Sequence, residues 1–541
     1  MYGWSSAKFK EFYENKGIKS DSFILQKVDN NFVLKELLSL NTSKGTGLDS
    51  IPARFLKDSA KAISVPLTAI VNLSITSGTV PQDFKAARIK PLFKKNSRLE
   101  VGNYRPVAIL SIASKILERA VYVQLSEYLR AEHILCDSQS GFRKGYSTDT
   151  CLIHLTDYIK DNMAQGYYTG MVLIDVQKAF DTVDHDILCD KLKAMGVGSV
   201  DWFHSYLTNR RQLTDVNGTH SDWGDISCGV PQGSILGPLL YLCYVNDIEI
   251  SVNCKMMLYA DDSVLLVRGK DPDIISTLLG TNLQSCNQWL VDNRLSMHLG
   301  KTECILFGPK RKLKEVENFN VECDDHTIQS VKSVKYLGLD LDQSLSGDTI
   351  VNNIVKKTGS RLKFLYRQGH FLKFETRKLL GHALIQPFFD YSASSWHSSL
   401  TRALKRKLQV AQNKLARFIL NLGPRAHIGS DELQKAGLLN TQLRVSQLRL
   451  NHSFNIYHNE CPSYLKNNFE MPLNIHSHYT RNSSINFSVP RTNCIGQTTF
   501  YYNAIKDWNN LPREIKLLTG KANFKIKTKA FLFSKMGITD S

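Results

Sequence analysis

Two aspartates divide the stretch Met257-Leu-Tyr-Ala-Asp261-Asp262-Ser-Val-Leu-Leu-Val267 into two apolar, β-rich runs. A short polar break between two such runs predicts a tight β-hairpin. An Asp-Asp turn by itself is usually only a turn, because aspartate caps the bend with its own side chain. Adjacent carboxylates at the ends of apolar strands repel each other, however, and that cost favours a bound divalent cation. The stretch therefore predicts a strand pair that carries an acidic centre.

A third carboxylate ends another apolar run, Met171-Val-Leu-Ile-Asp175. If this strand lies in the same sheet, Asp175 meets Asp261 and Asp262. Mg²⁺ prefers hard oxygen ligands, one or two of them carboxylates. Two such ions roughly 3.5–4 Å apart can activate an attacking 3′-hydroxyl and stabilise a leaving pyrophosphate. The three aspartates thus predict a two-metal phosphoryl-transfer site.

The rest of the chain shows a coarse pattern of helices and strands. Residues 1–100 are predicted to be mainly helical, and a basic cluster follows: Lys85, Arg88, Lys90, Lys94, Lys95 and Arg98. From about 100 to 345, helical segments alternate with β-rich runs at Met171–Asp175, Met256–Tyr259, Val264–Val267, Cys304–Phe307 and Val334–Leu339. Strands interleaved with helices predict helices packed on a sheet.

The charge balance favours a polyanionic partner. Among the 541 residues, 68 Lys and Arg outnumber 50 Asp and Glu. Such an excess attracts nucleic acid by counterion release and steering, although a solubilising surface charge would give the same total.

Much of the excess charge lies in residues 351–425, which contain 15 basic residues and two acidic ones, Glu375 and Asp390. Within this segment apolar residues recur at helical spacing: Leu404, Leu408, Ala411, Leu415 and Phe418. One helix face should therefore be buried and the opposite face strongly basic. A solvated charged face is the ordinary explanation, but like charges at helical spacing repel unless a polyanion screens them. The segment predicts nucleic-acid contact.

The cysteine pattern and the apolar segments indicate the compartment. Eleven scattered cysteines without a CxxC pair argue against a zinc module and against a disulfide framework. The most apolar later stretch, Ile235–Val245, is shorter than the roughly 20 residues of a membrane span. We therefore expect an intracellular protein of the nucleus and/or cytoplasm, with no membrane association.

Further motifs accompany the aspartates in a fixed order. They are Asn103-Tyr-Arg105-Pro-Val with Ser114-Lys-Ile-Leu-Glu-Arg119, Ser140-Gly-Phe-Arg143-Lys-Gly-Tyr-Ser-Thr148, Asp175 with Phe180, Gly229-Val-Pro-Gln232-Gly233-Ser-Ile-Leu-Gly-Pro238, Tyr259-Ala-Asp261-Asp262, Asn293-Arg-Leu with Lys301-Thr-Glu303, and Tyr336-Leu337-Gly338. In type and order these motifs resemble the reverse transcriptase region of a non-LTR (LINE-type) retrotransposon polyprotein, and the similarity runs through Trp508-Asn-Asn-Leu-Pro512.

The resemblance implies a mixed α/β fold of the right-hand polymerase type. Such a fold has fingers, a palm built on a ferredoxin-like antiparallel sheet with helices, and a helical thumb. The expected divisions are a linker-like segment 1–43, fingers 44–170, palm 171–345, basic helical thumb 346–430 and C-terminal accessory domain 431–541. The whole reverse transcriptase domain is expected over about 75–345.

The resemblance also assigns roles to single residues. The catalytic and metal-binding residues would be Asp175, Asp261 and Asp262, with the Val176 carbonyl as a further metal ligand and Lys301 as a catalytic residue. The nucleotide-binding residues would be Arg105, Arg143, Phe180, Gln232 and Gly233, and the primer grip would be Tyr336, Leu337 and Gly338. The cofactor would be two Mg²⁺ ions, with Mn²⁺ as a substitute. The partners would be an RNA template, a DNA primer and dNTPs.

Simpler interpretations stand beside several of these assignments. Phe180, expected to exclude a ribose 2′-hydroxyl, would otherwise be a core aromatic, and Arg143 would otherwise form a surface ion pair. Lys301 fits a proton donor to pyrophosphate and a simple phosphate contact equally well. Asp181, next to Phe180, fits a structural role better than a metal ligand.

The resulting hypothesis is an RNA-directed DNA polymerase that adds dNTPs to a DNA 3′-hydroxyl. One alternative is an RNA-dependent RNA polymerase, which shares the carboxylates; Phe180 and the Ala260 context argue against it. Another is a decayed or repurposed element that binds RNA without catalysis. The survival of the three aspartates, Gln232 and Lys301 argues against decay.

Overall fold

A computed structural model describes residues 6–19, 21–369, 371–471 and 485–536. The helices are α1 (Ser6–Asn15), α2 (Asn30–Leu38), α3 (Ala53–Asp58), α4 (Ala60–Ser77), α5 (Ile112–Ala131), α6 (Thr148–Ala164), α7 (His185–Ala194), α8 (Val200–Leu207), α9 (Gly237–Val245), α10 (Pro272–Asp292), α11 (Lys310–Leu313), α12 (Asp348–Gly369), α13 (Phe374–Leu384), α14 (Gln386–Asp390), α15 (Ala393–Trp396), α16 (Arg402–Leu420), α17 (Ser430–Lys435), α18 (Thr441–Tyr457), α19 (Ser463–Lys466), α20 (Phe500–Asn509), α21 (Arg513–Lys516) and α22 (Lys521–Met536). The strands are β1 (Ala86–Phe93), β2 (Tyr104–Ile109), β3 (Tyr168–Asp175), β4 (Arg210–Val216), β5 (Thr219–His220), β6 (Gly224–Ile226), β7 (Lys255–Tyr259), β8 (Asp262–Gly269), β9 (Glu303–Phe307), β10 (Asn320–Cys323), β11 (His326–Gln329), β12 (Ser333–Tyr336) and β13 (Leu339–Asp342). The mixed α/β class is confirmed.

The chain forms two compact units, each assembled from separate stretches of sequence. Unit 1 comprises residues 1–142, 174–263 and 282–301, and unit 2 comprises residues 143–173, 264–281 and 302–541. The boundary passes within β3 and β8, so each of these strands contributes residues to both units. The linear division into fingers, palm, thumb and accessory domain remains a prediction.

A four-stranded sheet has the order β7-β8-β3-β9. Strands β3 and β9 are antiparallel, with Met171 opposite Ile305. Helices α7 to α9 separate β3 from β7 along the chain, and α10 separates β8 from β9. Strands β4 to β6 also lie between β3 and β7 along the chain, and the ferredoxin-like palm remains a prediction. Asp175 is the last residue of β3, and Asp261 and Asp262 lie where β7 turns into β8.

Unit 1 also contains a sheet of β1, β2, β4, β5 and β6. Strand β1 pairs antiparallel with β2, where Leu92 lies opposite Arg105, and parallel with β4. Elsewhere in unit 1, α2 and α4 share a core that includes Val33, Leu37 and Leu67. The predicted helical character of the N-terminal region is confirmed for α1 to α4.

Helix α4 bears on the expectation that no membrane is involved. By length and composition alone, α4 could cross a bilayer. Its Leu67 packs in the core shared with α2, and the Asn72 amide donates to the Val28 carbonyl at 2.9 Å. These contacts are those of a helix packed against protein.

Unit 2 joins α6 to the C-terminal helices. The Asp157 carboxylate of α6 accepts hydrogen bonds from the backbone N–H groups of Phe500 and Tyr501, the first residues of α20, at 2.7 and 3.1 Å. Lys160, one turn further along α6, donates to the carbonyls of Ser395 and Thr498. Buried charges on α6 therefore satisfy backbone groups that the ends of other elements leave unpaired.

The basic segment folds as predicted from its apolar spacing. In α16, Leu408, Ala411, Leu415 and Phe418 are buried, while Arg406, Lys407 and Lys414 are exposed. The helix packs against α12, where the Lys407 ammonium donates to the Asn352 side chain at 2.6 Å.

One predicted strand is wrong. The run 334–339 was expected to be a single strand, but it is a hairpin in which β12 and β13 pair antiparallel, Tyr336 opposite Leu339. The turn residues Leu337 and Gly338 have φ of +44° and +81°. Two successive positive φ values reverse the chain in the manner of a hairpin turn, a conformation that glycine favours.

Candidate active site

The tight hairpin predicted around the paired aspartates is confirmed. Only Ala260 and Asp261 separate β7 from β8, and Ala260 has φ of +57°. A left-handed conformation costs a residue with a Cβ about 1–2 kcal/mol. The Ala260 N–H is held by a 2.9 Å hydrogen bond to the Gln139 side-chain oxygen, which also accepts from the Gly141 N–H at 2.7 Å. The turn is thus fixed by a residue more than a hundred positions away.

The segment around Gln139 runs beside β7. Ser140 N–H donates to the Leu258 carbonyl at 2.7 Å, and Leu258 N–H donates to the Ser138 carbonyl at 2.9 Å. The approach is so close that a Cβ at Gly141 would lie 2.4 Å from the Ala260 nitrogen. A side chain larger than hydrogen at position 141 would therefore displace the turn. Gln139 was not predicted from the sequence, although the neighbouring Ser-Gly-Phe motif marked the segment.

Asp175 is the last residue of β3, as predicted. Its carbonyl accepts from the His298 N–H at 2.8 Å, and the Gln177 N–H donates to the Ser296 carbonyl at 2.9 Å. These two bonds flank an antiparallel bridge between Val176 and Met297. In such a bridge the central residue directs its own carbonyl away from the partner strand. The Val176 carbonyl is therefore not used by this pairing.

The three carboxylates interact electrostatically. Burial raises the pKa of Asp262 to about 6, and the charges of Asp261 and Asp175 raise it further, against the opposing effect of Lys94 and Arg105. A carboxylate with a raised pKa among like charges is in a position that a cation would stabilise. Hereafter Asp175, Asp261 and Asp262 are called the acidic triad.

The side chains of the triad do not enclose a ready metal cage. Within the described residues, no three His, Cys, Asp or Glu side chains are arranged to hold a metal ion. The Asp175 carboxylate instead lies 3.6 Å from the Lys301 ammonium, and both side chains are about half exposed. The oxygen chemistry of the three carboxylates nevertheless fits Mg²⁺.

Phe180 packs against two other aromatic side chains. Its ring stacks on Tyr241 with centroids 4.5 Å apart and meets the edge of Phe142 at 6.2 Å. Burial, followed by the charges of Asp261 and Asp262, raises the pKa of the Tyr241 hydroxyl. Phe180 is only half-buried, so part of its ring is available to a ligand while the rest is held by its aromatic neighbours.

The Gln232 side chain is turned toward Asp181. Its Nε2 donates to Asp181 Oδ1 at 2.8 Å, and the Gln232 carbonyl accepts from the Ala108 N–H at 2.7 Å. Gly233 follows with φ of +128°, and a Cβ there would lie 2.4 Å from the Ala108 oxygen. The sequence predicted nucleotide-binding roles for Gln232 and Gly233 but not the hydrogen-bond partner of Gln232.

A cavity of about 280 Å³ opens beside this loop. Its walls include Ala108, Lys178, Asp181, Arg210 and Gln232. The predicted nucleotide-binding residue Arg105 lies on β2, and its side chain is exposed. Its charge, with that of Lys94, lowers the pKa of Asp262. From the sequence, Lys94 was predicted only as a member of the basic cluster.

The remaining predicted site residues belong to unit 2. The Arg143 guanidinium lies 4.4 Å from the centre of the Tyr146 ring. In the Tyr336-Leu337-Gly338 turn, the Tyr391 hydroxyl donates to the Leu337 carbonyl.

Comparison with known proteins identifies the core. Residues 93–341 match the protein family described as reverse transcriptase (RNA-dependent DNA polymerase). The chain contains a reverse transcriptase domain. Its matched range includes all three residues of the acidic triad, together with the Gln232 loop and the β12–β13 turn. The predicted domain limits of about 75–345 enclose the match.

Several proteins similar to this chain are named after transposons or mobile elements of Drosophila melanogaster. The probable RNA-directed DNA polymerase from transposon BS is 28% identical over 413 residues, which cover 72% of this chain and 44% of the relative. The probable enzyme from transposon X-element is 25% identical, covering 72% and 43%. The RNA-directed DNA polymerase from mobile element jockey is 25% identical, covering 69% and 41%. The chain thus spans less than half the length of these relatives.

Proposed function

We propose that this protein is an RNA-directed DNA polymerase that adds dNTPs to a DNA 3′-hydroxyl, as in non-LTR retrotransposition. The observation that carries the proposal is the acidic triad, in which two adjacent carboxylates on a strained turn act electrostatically on each other and on Asp175. Such a concentration of negative charge is costly without a cation. Strain held at a turn of this kind is typical of functional sites.

Oxygen atoms of the triad and the Val176 carbonyl would hold two Mg²⁺ ions, with Mn²⁺ as a substitute. When bound, these ions supply Lewis-acid activation of the 3′-hydroxyl and neutralise charge on the pyrophosphate. Asp175 ends β3, and Asp261 and Asp262 lie where β7 turns into β8, so metal binding would require side-chain rotation of the carboxylates. Asp175 would exchange its contact with Lys301 for the metal.

Nearby cations would orient the triphosphate. The charges of Lys94 and Arg105 lower the pKa of Asp262. A guanidinium such as that of Arg105 can also bind two phosphate oxygens at once. Lys301, released from Asp175, would contact the phosphates or donate a proton to departing pyrophosphate. Arg143 is proposed for the same triphosphate.

Specificity for dNTPs would come from Phe180, because the exposed part of its ring would meet a ribose 2′-hydroxyl. The Gln232-Gly233 turn would face the nucleotide across the cavity of about 280 Å³. Since Gln232 is bonded to Asp181, its backbone and the glycine would make the closest approach.

The template and primer would lie on the basic helices α12 and α16, the proposed thumb, with Tyr336, Leu337 and Gly338 gripping the primer. Exposed cations include Lys356, Lys357, Arg361, Arg406 and Lys414. The β7-β8-β3-β9 sheet would be the palm. The site of action would be the nucleus and/or cytoplasm.

Primer extension tests the proposal. Wild type should extend oligo(dT) on poly(rA) with dTTP and Mg²⁺. Asp261→Asn should reduce the rate about a thousandfold, because metal stabilisation of the transition state amounts to several kcal/mol. Asp222→Asn, which neutralises an exposed carboxylate of unit 1, is the matched control and should keep full activity.

The same assay separates the alternatives. A protein that binds poly(rA) but never extends the primer would be an RNA-binding remnant. Preference for UTP over dTTP on the same template would indicate an RNA polymerase. Equal extension by wild type and Asp261→Asn would exclude the acidic triad as the catalytic centre.

A further inference from the structure

A cavity of about 120 Å³ lies in unit 2 among α13, α14, α18, α22 and the loop 437–439. Its walls include the side chains of His382, Gln386, Arg444 and Lys529. None of these residues has a place in the proposed polymerase site. We call this feature the cationic cavity.

Positive charge dominates the cationic cavity. The Lys529 ammonium donates to the Gly437 carbonyl at 3.3 Å, and a Cβ at Gly437 would lie 3.7 Å from the Lys378 ammonium. Burial lowers the pKa of Lys529, and the charges of Arg444 and Lys378 lower it further. These cations are therefore close enough to repel one another.

The nearby carboxylate does not balance these charges. Asp390 accepts two hydrogen bonds from Arg444, at 2.9 and 2.8 Å, which form a bidentate pair. That pair neutralises Arg444 alone. Burial lowers the pKa of His382, as do the charges of Lys529, Lys378 and Arg444, which favours the neutral imidazole over a further positive charge.

One of the residues that line the cavity, Gln386, also has a buried acceptor. Gln386 is 6% exposed, and its Oε1 has no hydrogen-bond partner, while its Nε2 donates to Asp390 at 2.9 Å. The bond to Asp390 fixes the orientation of the amide, because a flipped amide would set oxygen against carboxylate. A buried acceptor without a donor is costly.

We propose that the cationic cavity binds a single phosphate group. A phosphate that retains one proton accepts hydrogen bonds from the ammonium groups and donates one to Gln386 Oε1. A water molecule needs roughly 10–15 Å³ of such space, whereas sites for drug-sized ligands start near roughly 300 Å³. The volume of about 120 Å³ therefore fits a tetrahedral oxyanion and excludes a whole nucleoside.

Thermal unfolding in inorganic phosphate at pH 6 and constant ionic strength tests the proposal. Phosphate should raise the melting temperature of the wild type above its value in sulfate, because sulfate carries no proton for Gln386. Lys529→Gln should bind phosphate roughly tenfold more weakly, since a charge-assisted hydrogen bond is lost. Lys527→Gln, an exposed lysine of the same helix, is the control and should match the wild type.

Equal stabilisation by phosphate and sulfate, or an equal phosphate effect in Lys529→Gln and Lys527→Gln, would overturn the proposal. If Lys529→Gln fails to fold, two other variants replace it. Lys378→Gln should bind phosphate more weakly, and Lys529→Arg should retain binding. Competition identifies the source of the phosphate. Displacement by a 5′-phosphorylated oligonucleotide, but not by its 5′-hydroxyl form, would assign a nucleic-acid end; displacement by neither would assign a free phosphate.

Discussion

The side-chain amide of Gln232 donates a 2.8 Å hydrogen bond to the carboxylate of Asp181. The backbones that carry the two residues are joined as well, since Val230 N–H donates to the Phe180 carbonyl at 2.8 Å. A Cβ at Gly229 would lie 2.7 Å from the backbone carbonyl oxygen of Asp181, so the two segments approach as closely as glycine permits. Asp181 is therefore a positioning residue for the Gln232 loop.

Asp181→Ala should lower kcat/KM for dNTP about tenfold in primer extension, because a hydrogen bond to a charged group contributes about 1.5–3 kcal/mol. Asp181→Asn keeps an acceptor oxygen for the Gln232 amide and should retain most of the activity. An Asn variant as impaired as the Ala variant would show that the negative charge matters rather than the hydrogen bond.

Phe180→Val should increase the use of rNTPs relative to dNTPs on the order of 10- to 100-fold, since removing a few carbon atoms from a pocket wall shifts discrimination by 1–3 kcal/mol. The comparison is single-nucleotide insertion with dTTP and UTP. Tyr241→Phe keeps the ring on which Phe180 stacks and should leave the ratio unchanged. An unaltered ratio in Phe180→Val would assign Phe180 to the core.

Gly141→Ala should destabilise unit 1 by about 1–3 kcal/mol and abolish most primer extension, because its Cβ would lie 2.4 Å from the Ala260 nitrogen. Urea denaturation measures the free energy of unfolding. Gly102→Ala is the control, since its Cβ meets nothing within 4 Å. An equal loss of stability and of primer extension in both variants would mean that helix or loop propensity, not the contact with Ala260, is responsible.

Lys191→Met should lower the free energy of unfolding by about 3–5 kcal/mol, because it leaves a buried carboxylate without its cation. The Lys191 ammonium lies 2.6 Å from Asp247, and both side chains are 0% exposed. Asp58→Asn removes the exposed Arg54–Asp58 pair and should change the free energy of unfolding by less than about 1 kcal/mol. Similar values for the two variants would contradict the role of burial.

Burial raises the pKa of Asp157 to about 7, against the opposing effect of Lys160. Between about pH 4 and 7 the folded state then holds a proton that the unfolded state has released, so the free energy of unfolding should fall as pH rises. Asp157→Asn removes this dependence and should flatten the pH profile of stability. Asp83→Asn, which alters an exposed side chain, should keep the wild-type slope. An unchanged slope in Asp157→Asn would refute the buried titration.

Much of the core could be predicted from the sequence because its signals are local. Alternating and continuous apolar runs predicted β3, β7, β8 and β9, and helical spacing predicted the buried face of α16. The strand 334–339 was predicted wrongly, since an apolar run does not reveal that Leu337 and Gly338 take positive φ. Only the pairing of β12 with β13 decides that reversal.

By itself, the sequence determined that three aspartates stand at strand ends and that a basic amphipathic helix follows them. The tertiary structure decided which distant groups act on them: Gln139 at the strained turn, Lys301 beside Asp175, and Lys94 with Arg105 near Asp262. Local residue patterns fix secondary structure because their interactions span a few positions. Hydrogen bonds, burial and charge at a site depend on long-range contacts, and those exist only once the chain has folded.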